Sequence, residues 1–287
     1  MYAIQQKKEL ATGIVQFDVL APLVAASAQA GQFVMVRMDE QGERIPLTIY
    51  DFDPRQGTVS IILQVVGKST ELMAELQAGD CLLDFAGPLG QPSEIEQYGR
   101  VVIIGGGVGA APIHPIARAL KAAGNEVICI LGARCADLLI LEEELRQASS
   151  ELLIMSDDGS CGDKGLVTQG LQAVIDRGVE INRVIAIGPM PMMRAVSELT
   201  RPLGLPTIVS LNPIMVDGTG MCGACRVQVG SETKFACVDG PEFDGHLVDW
   251  KLAAQRARMF QEEERRAMES HHRKGGAGQC GCQAKKN

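Results

Sequence analysis

The densest group of potential metal ligands lies at positions 217–237. It has one carboxylate and three thiols, separated by four, two and eleven residues: Asp217, Cys222, Cys225 and Cys237. Plant-type [2Fe–2S] sites use the spacing C-x4-C-x2-C with a distant fourth cysteine, and this stretch keeps that spacing with aspartate in the first place. Thiolates are soft ligands for iron, and the intervening glycines let a short loop wrap around a small cluster. The pattern predicts a [2Fe–2S] site; a structural zinc site and ordinary buried cysteines are the alternatives.

Two short segments in the amino-terminal third carry groups that can bind phosphate. The first contributes Arg44, Pro46, Leu47 and Thr48, and the second Gly67, Lys68, Ser69 and Thr70. The first segment places a guanidinium and a hydroxyl on a strand edge. The second opens a helical stretch, where backbone N–H groups and an ammonium would face an anion at a helix N-terminus. Taken alone, the second segment is more simply explained as N-capping by Ser69 or Thr70.

Further on, a series of loops each follow an apolar run that is typical of a buried strand. Their candidate binding residues are Gly105, Gly107, Val108, Gly109, Pro112, Gly132, Arg134, Asp158, Gly159, Gly188, Pro189 and Met190. A strand, a glycine loop and a helix follow one another at positions 101–123, which is the context that a nucleotide-phosphate loop requires. Loops after parallel strands gather at one sheet edge. They therefore predict a single nucleotide site, although any one loop could be plain turn chemistry.

The periodicity of the apolar residues predicts the elements that position these groups. Alternating runs at 14–20, 32–37 and 58–66 favour an antiparallel β-barrel, predicted to span residues 1–97. Strands then alternate with helices, such as 138–147 and 166–177, which predicts an α/β doubly wound parallel-sheet domain at 98–211. A small cluster-binding segment (212–246) follows. The last predicted unit (247–287) is one helix to about residue 270, followed by a flexible tail that contains Cys280 and Cys282. Trp250, Leu252 and Met259 are candidates to dock this helix, either on the body of the protein or on a partner.

The composition narrows the class of protein. A net charge of −8 and few aromatic residues disfavour nucleic-acid binding. The first residues lack the apolar core of a signal peptide, and the longest apolar run, 101–113, is too short to span a bilayer. Nine cysteines are an odd number, and three of them lie in the metal-like pattern, which suits a reducing compartment better than a disulfide framework. We therefore expect a cytoplasmic protein that binds neither nucleic acid nor membrane.

Together these motifs resemble the flavoprotein reductase family typified by ferredoxin–NADP reductase, over nearly the whole chain to about residue 250. The resemblance implies that the barrel binds FAD, with Arg44 at the pyrophosphate and Thr48 near the flavin ring as the catalytic position. It also implies that the Gly67–Thr70 loop contacts FAD and that the second domain binds NAD(H).

Two departures from the general family narrow the resemblance. Ile187 stands where many reductases have a cysteine before the Gly-Pro pair, and Asp217 replaces the first cysteine of the dihydroorotate dehydrogenase electron-transfer branch. Both features are similar to the small subunits of the electron-bifurcating NADH-dependent ferredoxin:NADP oxidoreductases.

This likeness implies an electron-transfer flavoprotein subunit that exchanges hydride between NAD(H) and FAD. Single electrons would pass through the [2Fe–2S] cluster to or from a larger flavin and iron–sulfur subunit, which forms a heterodimer with this chain and serves ferredoxin. The alternatives are a dihydroorotate dehydrogenase electron-transfer subunit and a non-catalytic, zinc-stabilised nucleotide-binding module. The choice of nicotinamide stays open, because Arg134 suits a 2′-phosphate while Asp157 and Asp158 oppose one.

Overall fold

The structure is a computed structural model that describes residues 1–275 of the 287. Cys280 and Cys282, with the rest of the predicted tail, lie outside the described residues. No helix in the described part of the chain has both the length and the apolar character needed to cross a membrane.

Seven strands form an almost closed antiparallel barrel at the start of the chain. They are β1 (Tyr2–Ala11), β2 (Ile14–Leu20), β3 (Phe33–Arg37), β4 (Ile45–Asp53), β5 (Thr58–Gln64), β6 (Cys81–Leu82) and β7 (Asp84–Leu89), with helices α1 (Pro22–Ser27) and α2 (Lys68–Glu75) between them. The strand order is β6-β1-β2-β5-β4-β3-β7. Only Leu83 separates the two edge strands, and its N–H donates to the carbonyls of Arg37 and Met38 at 3.0 and 3.1 Å. Alternate side chains such as Phe17, Ile61 and Phe85 fill the interior, which confirms the predicted barrel.

A seven-stranded sheet forms the core of the second half. The strands after the barrel are β8 (Arg100–Gly106), β9 (Glu126–Ala133), β10 (Glu151–Ser156), β11 (Asp163–Lys164), β12 (Arg183–Ile187), β13 (Thr207–Ser210), β14 (Arg226–Val229), β15 (Glu232–Phe235) and β16 (Glu242–Asp244). The helices are α3 (Ala110–Ala122), α4 (Glu142–Ala148), α5 (Val167–Asp176), α6 (Met190–Thr200), α7 (Trp250–Arg256) and α8 (Gln261–Gly275). The order β11-β10-β9-β8-β12-β13-β16 is parallel except for β16, which pairs antiparallel with β13. The predicted doubly wound sheet is confirmed, and β16 attaches the cluster segment to its edge.

The helix predicted at 138–147 begins later than the apolar run suggested. Ile140 and Leu141 are buried, and Leu141 adopts a left-handed φ of 60°, so the chain cannot yet be helical there. Helix α4 starts at Glu142, where three consecutive glutamates occupy the first turn and interact favourably with the helix dipole. Burial of the apolar side chains thus overrides their helix propensity.

The single helix predicted from 247 to about 270 is also wrong, because the structure divides it into α7 and α8. Asp249 caps α7 by accepting the N–H of Leu252 at 2.9 Å, and Trp250 is buried, with its indole N–H donating to the carbonyl of Gly245. Leu252 and Met259 are exposed rather than docked. The two helices contact different parts of the body, β14 and α2 respectively, and a turn at 257–260 redirects the chain between them.

Strand β4 and helix α3 join the barrel to the parallel sheet. The rings of Tyr50 and His114 pack with their centroids 5.1 Å apart, and Arg118 forms an ion pair with Asp51 at 2.7 Å. Burial raises the pKa of the Tyr50 hydroxyl and lowers that of the His114 imidazole, so both stay neutral at pH 7. These contacts fix the distance between the barrel edge and the glycine loop at the start of α3.

We expect the substitution Gly109→Ala to destabilise the protein. A Cβ at Gly109 would lie 2.2 Å from the carbonyl oxygen of Ile187, so strand β12 or helix α3 would have to move. Overpacking of this kind costs about 1–3 kcal/mol. Gly67→Ala is the matched control, because a Cβ at Gly67 meets nothing within 4 Å. Denaturant midpoints should fall clearly more for Gly109→Ala, and equal midpoints for the two variants would contradict this packing.

Candidate functional site: a nucleotide cleft beside a cysteine loop

A large cleft of about 1600 Å³ lies between strand β4 of the barrel and the carboxyl ends of the parallel strands. It brings together most of the residues predicted to bind a cofactor: Arg44, Pro46, Leu47, Thr48, Thr70, Gly107, Val108, Gly109, Pro112, Gly132, Arg134, Gly188 and Pro189. The two sets of loops predicted from separate motifs therefore face one space. Its volume is larger than that of a typical single-ligand pocket.

The two segments predicted to hold phosphate meet at one end of the cleft. The hydroxyl of Ser69 donates to the carboxylate of Glu43 at 2.6 Å, which places the N-terminus of α2 beside Arg44. The Thr70 hydroxyl accepts the N–H groups of Val66 and Gly67 at 3.0 and 3.1 Å, so Thr70 stabilises the start of the helix as well as lining the cleft. Gly67, Lys68 and Ser69 do not themselves line it.

At this end of the cleft, the Asp84 carboxylate forms a hydrogen bond with Arg44. It accepts hydrogen bonds from Arg37 at 2.7 Å and from Arg44 at 3.2 Å. The hydrogen bond from Arg37 is the main cause that holds the pKa of Asp84 below its usual range, with Arg44 contributing less. Because Asp84 is already paired with Arg37, much of the positive charge of Arg44 remains available to an anion in the cleft.

The glycine loop after β8 forms the opposite wall. Gly107 has a φ of +56°, which disfavours any residue with a side chain, and it borders open space. A short 3₁₀ turn, Gly107–Gly109, leads into α3, whose first residues Ala111 and Pro112 line the cleft. A helix N-terminus in this position can bind a pyrophosphate. Gly105 instead serves packing, because a Cβ there would meet Ile113 at 2.6 Å.

The remaining loops place some predicted residues in the cleft and others outside it. Asp157 lines the cleft, whereas Asp158 does not. The Asp158 carboxylate accepts the hydroxyl and the N–H of Ser160 at 2.7 and 2.9 Å, and these bonds lower its pKa. Gly159 also lies outside the lining, as does Met190, and Met192 lines the cleft in place of Met190. Because Asp158, Gly159 and Met190 do not line the cleft, their binding roles remain predictions.

Sequence reasoning missed two further parts of the lining. One is the connection between β13 and the cysteine loop, 211–216, an apolar stretch that matches no motif. The other is the C-terminal face formed by Phe260, Glu263, Glu264 and Ala267. Their spacing of three, four and seven residues from Phe260 is that of one helix face, which is a signal that the sequence does contain.

The four predicted metal ligands lie in the loop that follows, arranged as two neighbouring pairs. The Asp217 carboxylate accepts the N–H groups of Thr219 and Cys222, each at 2.8 Å, and the bond from Thr219 is the main reason that its pKa is lowered. The sulfur atoms of Cys225 and Cys237 are 3.1 Å apart in a buried position. Burial is the main cause that raises the pKa of the Cys237 thiol to about 12.

Within residues 1–275, no three His, Cys, Asp or Glu side chains are grouped as ligands of one metal ion. The grouping in two pairs is compatible with a two-metal cluster. In a [2Fe–2S] cluster, each pair can serve a different iron. Backbone N–H groups of Ala224 and Cys237 point at the sulfurs of Cys222 and Cys225, at 3.4 and 3.5 Å. Such hydrogen bonds stabilise the thiolate form that iron needs.

The cysteine loop packs directly on the barrel. Gly218 has a φ of +78°, and a Cβ there would meet Met35 at 2.6 Å, so the loop backbone lies against strand β3. In the β3–β4 ladder, Met35 pairs with Pro46 and Phe33 pairs with Thr48. One strand therefore separates the cysteine loop from the strand that lines the cleft.

Comparisons with known proteins agree with this organisation. Residues 103–198 match the model of an oxidoreductase NAD-binding domain, and residues 212–249 match the iron–sulfur cluster binding domain of dihydroorotate dehydrogenase B. A barrel beside a parallel nucleotide sheet and an iron–sulfur loop defines the class: a nicotinamide-dependent oxidoreductase subunit with an iron–sulfur domain.

The relatives identify the family within this class. The chain is 47% identical to a dihydroorotate dehydrogenase B electron transfer subunit homolog of Thermotoga maritima, over 91% of this chain and 92% of the relative. It is 36% identical to the dihydroorotate dehydrogenase B electron transfer subunit of Bacillus caldolyticus, over 84% and 94%. The chain therefore belongs to the family of dihydroorotate dehydrogenase B electron transfer subunits and their homologues.

A solved structure is also similar over almost the full length. It is a chain from a study of flavin-based electron bifurcation in the NADH-dependent reduced ferredoxin–NADP oxidoreductase, with 45% identity and a TM-score of 0.90, and the match covers 95% of this chain and 98% of that one. The family resemblance predicted from the sequence motifs is confirmed.

We expect Arg44→Ala to weaken FAD binding. A hydrogen bond to a charged group contributes about 1.5–3 kcal/mol, so the Kd for FAD should rise roughly 10- to 100-fold in a flavin-fluorescence titration. Arg55→Ala is the matched control, because Arg55 is an exposed arginine of the same barrel that does not line the cleft. Equal affinities for the two variants would remove Arg44 from the binding site.

Proposed function

We propose that this chain is the small electron-transfer subunit of an NADH-dependent reduced ferredoxin:NADP oxidoreductase. It exchanges hydride between NAD(H) and FAD and passes single electrons, through a [2Fe–2S] cluster held by Asp217, Cys222, Cys225 and Cys237, to or from a larger subunit. The observation that carries this proposal is the single cleft in which strand β4 faces the nucleotide loops, with the cysteine loop packed on the neighbouring strand β3.

The protein's own residues bind and orient the reactants. Arg44 and Thr70, in the first turn of α2, would hold the FAD pyrophosphate, and Thr48 would border the flavin ring. The N-terminus of α3 holds the dinucleotide pyrophosphate on the facing wall. When bound, FAD supplies the hydride chemistry and the iron–sulfur cluster carries electrons one at a time. Ile187 and Pro189 line the cleft at the carboxyl end of β12. Their apolar side chains would keep water away from the place where the flavin and nicotinamide rings meet.

The cleft favours NAD(H) over NADP(H). Asp157 lines it at the end of β10, near Arg134 from the end of β9. A carboxylate at this position accepts a hydrogen bond from a ribose hydroxyl and repels a 2′-phosphate. Arg134 balances the charge of Asp157 only in part, because Asp158 lies in the same loop.

We propose a larger partner because a [2Fe–2S] cluster passes electrons one at a time, and these electrons must reach another redox centre. The described residues provide a large nucleotide cleft and a cysteine loop, and we propose that a second flavin and further clusters lie on the larger subunit. The exposed apolar side chains nearest the cysteine loop are Val216, Met221 and Val238, of which Met221 is 89% exposed. These side chains are suited to a subunit interface close to Cys222, and ferredoxin would be reached through the partner.

The second candidate is the electron-transfer subunit of a dihydroorotate dehydrogenase, favoured by the 36% identity to the Bacillus caldolyticus subunit. The two candidates differ in the large subunit. Affinity purification of the tagged chain from its native source should recover a large flavin and iron–sulfur subunit. Recovery of a dihydroorotate-oxidising subunit would support the second candidate instead.

The isolated chain should oxidise NADH with artificial dyes as acceptors but fail to couple NADH, ferredoxin and NADPH. The reason is that its single cleft can start the reaction, whereas the coupled steps need centres on the partner. Steady-state assays with and without the co-purified large subunit test this. Coupled turnover by this chain alone would show that it is not a subunit.

We expect Asp217→Ala to change the EPR spectrum of the reduced cluster, because a hard carboxylate donor would be lost from one iron. Asp217→Cys should retain the cluster with a shifted reduction potential, since the ligand set becomes all thiolate. Asp239→Ala is the control, because the Asp239 carboxylate accepts the N–H of Phe235 at 2.7 Å in the same segment but is not a predicted ligand. A wild-type spectrum and potential in both Asp217 variants would exclude Asp217 as a ligand.

A further inference from the structure

The turn before helix α8 and the helix itself present one face to the nucleotide cleft. The residues of this C-terminal face are Phe260, Glu263, Glu264 and Ala267. The carbonyl of Phe260 accepts the N–H of Glu264 at 2.9 Å, so Phe260 begins the helix and its position is tied to the first turn. Phe260 is 46% exposed, and the other residues of the first two turns are mostly charged. The face is therefore a small aromatic surface beside two carboxylates.

A series of contacts connects the helix of this face to the phosphate-binding end of the cleft. Thr48 and Arg44 lie along β4 and the residues just before it, and Glu43 bonds to Ser69 at the start of α2. Helix α2 in turn contacts α8, where Glu71 lies 3.1 Å from the imidazole of His272. His272 follows Ala267 by five residues on the same helix, so the Ala267 end of the C-terminal face lies next to the phosphate-binding end of the cleft.

In FAD the adenosine is attached to the pyrophosphate, on the side away from the flavin ring. An adenine ring stacks on an aromatic side chain, and ribose hydroxyls and the adenine amino group donate to carboxylates. Glu263 and Glu264 would repel a phosphate, so they suit the uncharged adenosine and not the pyrophosphate. The chemistry of the face matches the part of FAD that its position would meet.

We propose that the C-terminal face holds the adenosine half of FAD, with Phe260 stacking on the adenine ring and Glu263 or Glu264 accepting from the ribose or the adenine amino group. This inference rests on the proposed function, because it presumes that FAD occupies the cleft. It adds a third part of the chain to the flavin site, after β4 and α2.

The test compares FAD with FMN, which lacks the adenosine. The full chain, freed of flavin, is titrated with each flavin and binding is followed by flavin fluorescence. Phe260→Ala should raise the Kd for FAD about tenfold, the contribution of one stacked base, and leave the Kd for FMN unchanged. Met259→Ala is the matched control, since Met259 is equally exposed in the same turn but does not line the cleft.

The variant Phe260→Leu keeps an apolar side chain without the aromatic face, and it provides the same test if the alanine variant is unstable. Equal losses for FAD and FMN, or no loss of FAD affinity in either Phe260 variant, would overturn the adenosine assignment alone. Wild-type protein that binds neither flavin would overturn the proposed function and this inference with it.

Discussion

The site depends first on strand β4. This strand lines the nucleotide cleft, packs against α3 and pairs with β3, on which the cysteine loop lies. The segment Arg44–Thr48 lines the nucleotide cleft, and Tyr50 and Asp51 pack against α3 through His114 and Arg118. Its neighbour β3 carries Met35, against which the cysteine loop lies. Through these contacts the nine-residue strand β4 is held at a fixed distance from the glycine loop on one side and from the metal ligands on the other. Electron transfer between two cofactors requires such a fixed separation, and β4 supplies it through packing.

Much of this organisation could be predicted from the sequence where local pattern and tertiary structure agree. The alternating runs predicted the barrel, and the strand–loop–helix repeats predicted the parallel sheet. The glycine loop at 105–112 and the spacing of Asp217, Cys222, Cys225 and Cys237 also predicted which residues lie together. These features are local, because a phosphate loop or a cysteine loop must have its residues close in the chain. The resemblance to a known family added the order of the cofactors along the chain.

The parts that could not be predicted depend on contacts between distant segments. Leu141 takes a left-handed conformation because its side chain is buried, which no propensity of the run 138–141 indicates. Asp157 and Asp158 are identical in type, and only the turn closed by Ser160 decides that Asp157 faces the cleft. The same holds for Met190 and Met192, which differ by their position on the first turn of α6. In each case the role of the residue depends on where its side chain points, and tertiary packing sets that orientation.

Charge explains why so much of the anion binding falls to the backbone. The chain carries a net charge of −8, yet its cleft must accept two dinucleotides with negative pyrophosphates. The guanidinium groups that line it are Arg44, which shares Asp84 with Arg37, and Arg134, which lies near Asp157. The N-terminus of α3 adds backbone N–H groups, and no acidic side chain in its first turn cancels their partial positive charge. A site built in this way binds phosphate through fixed geometry more than through net charge.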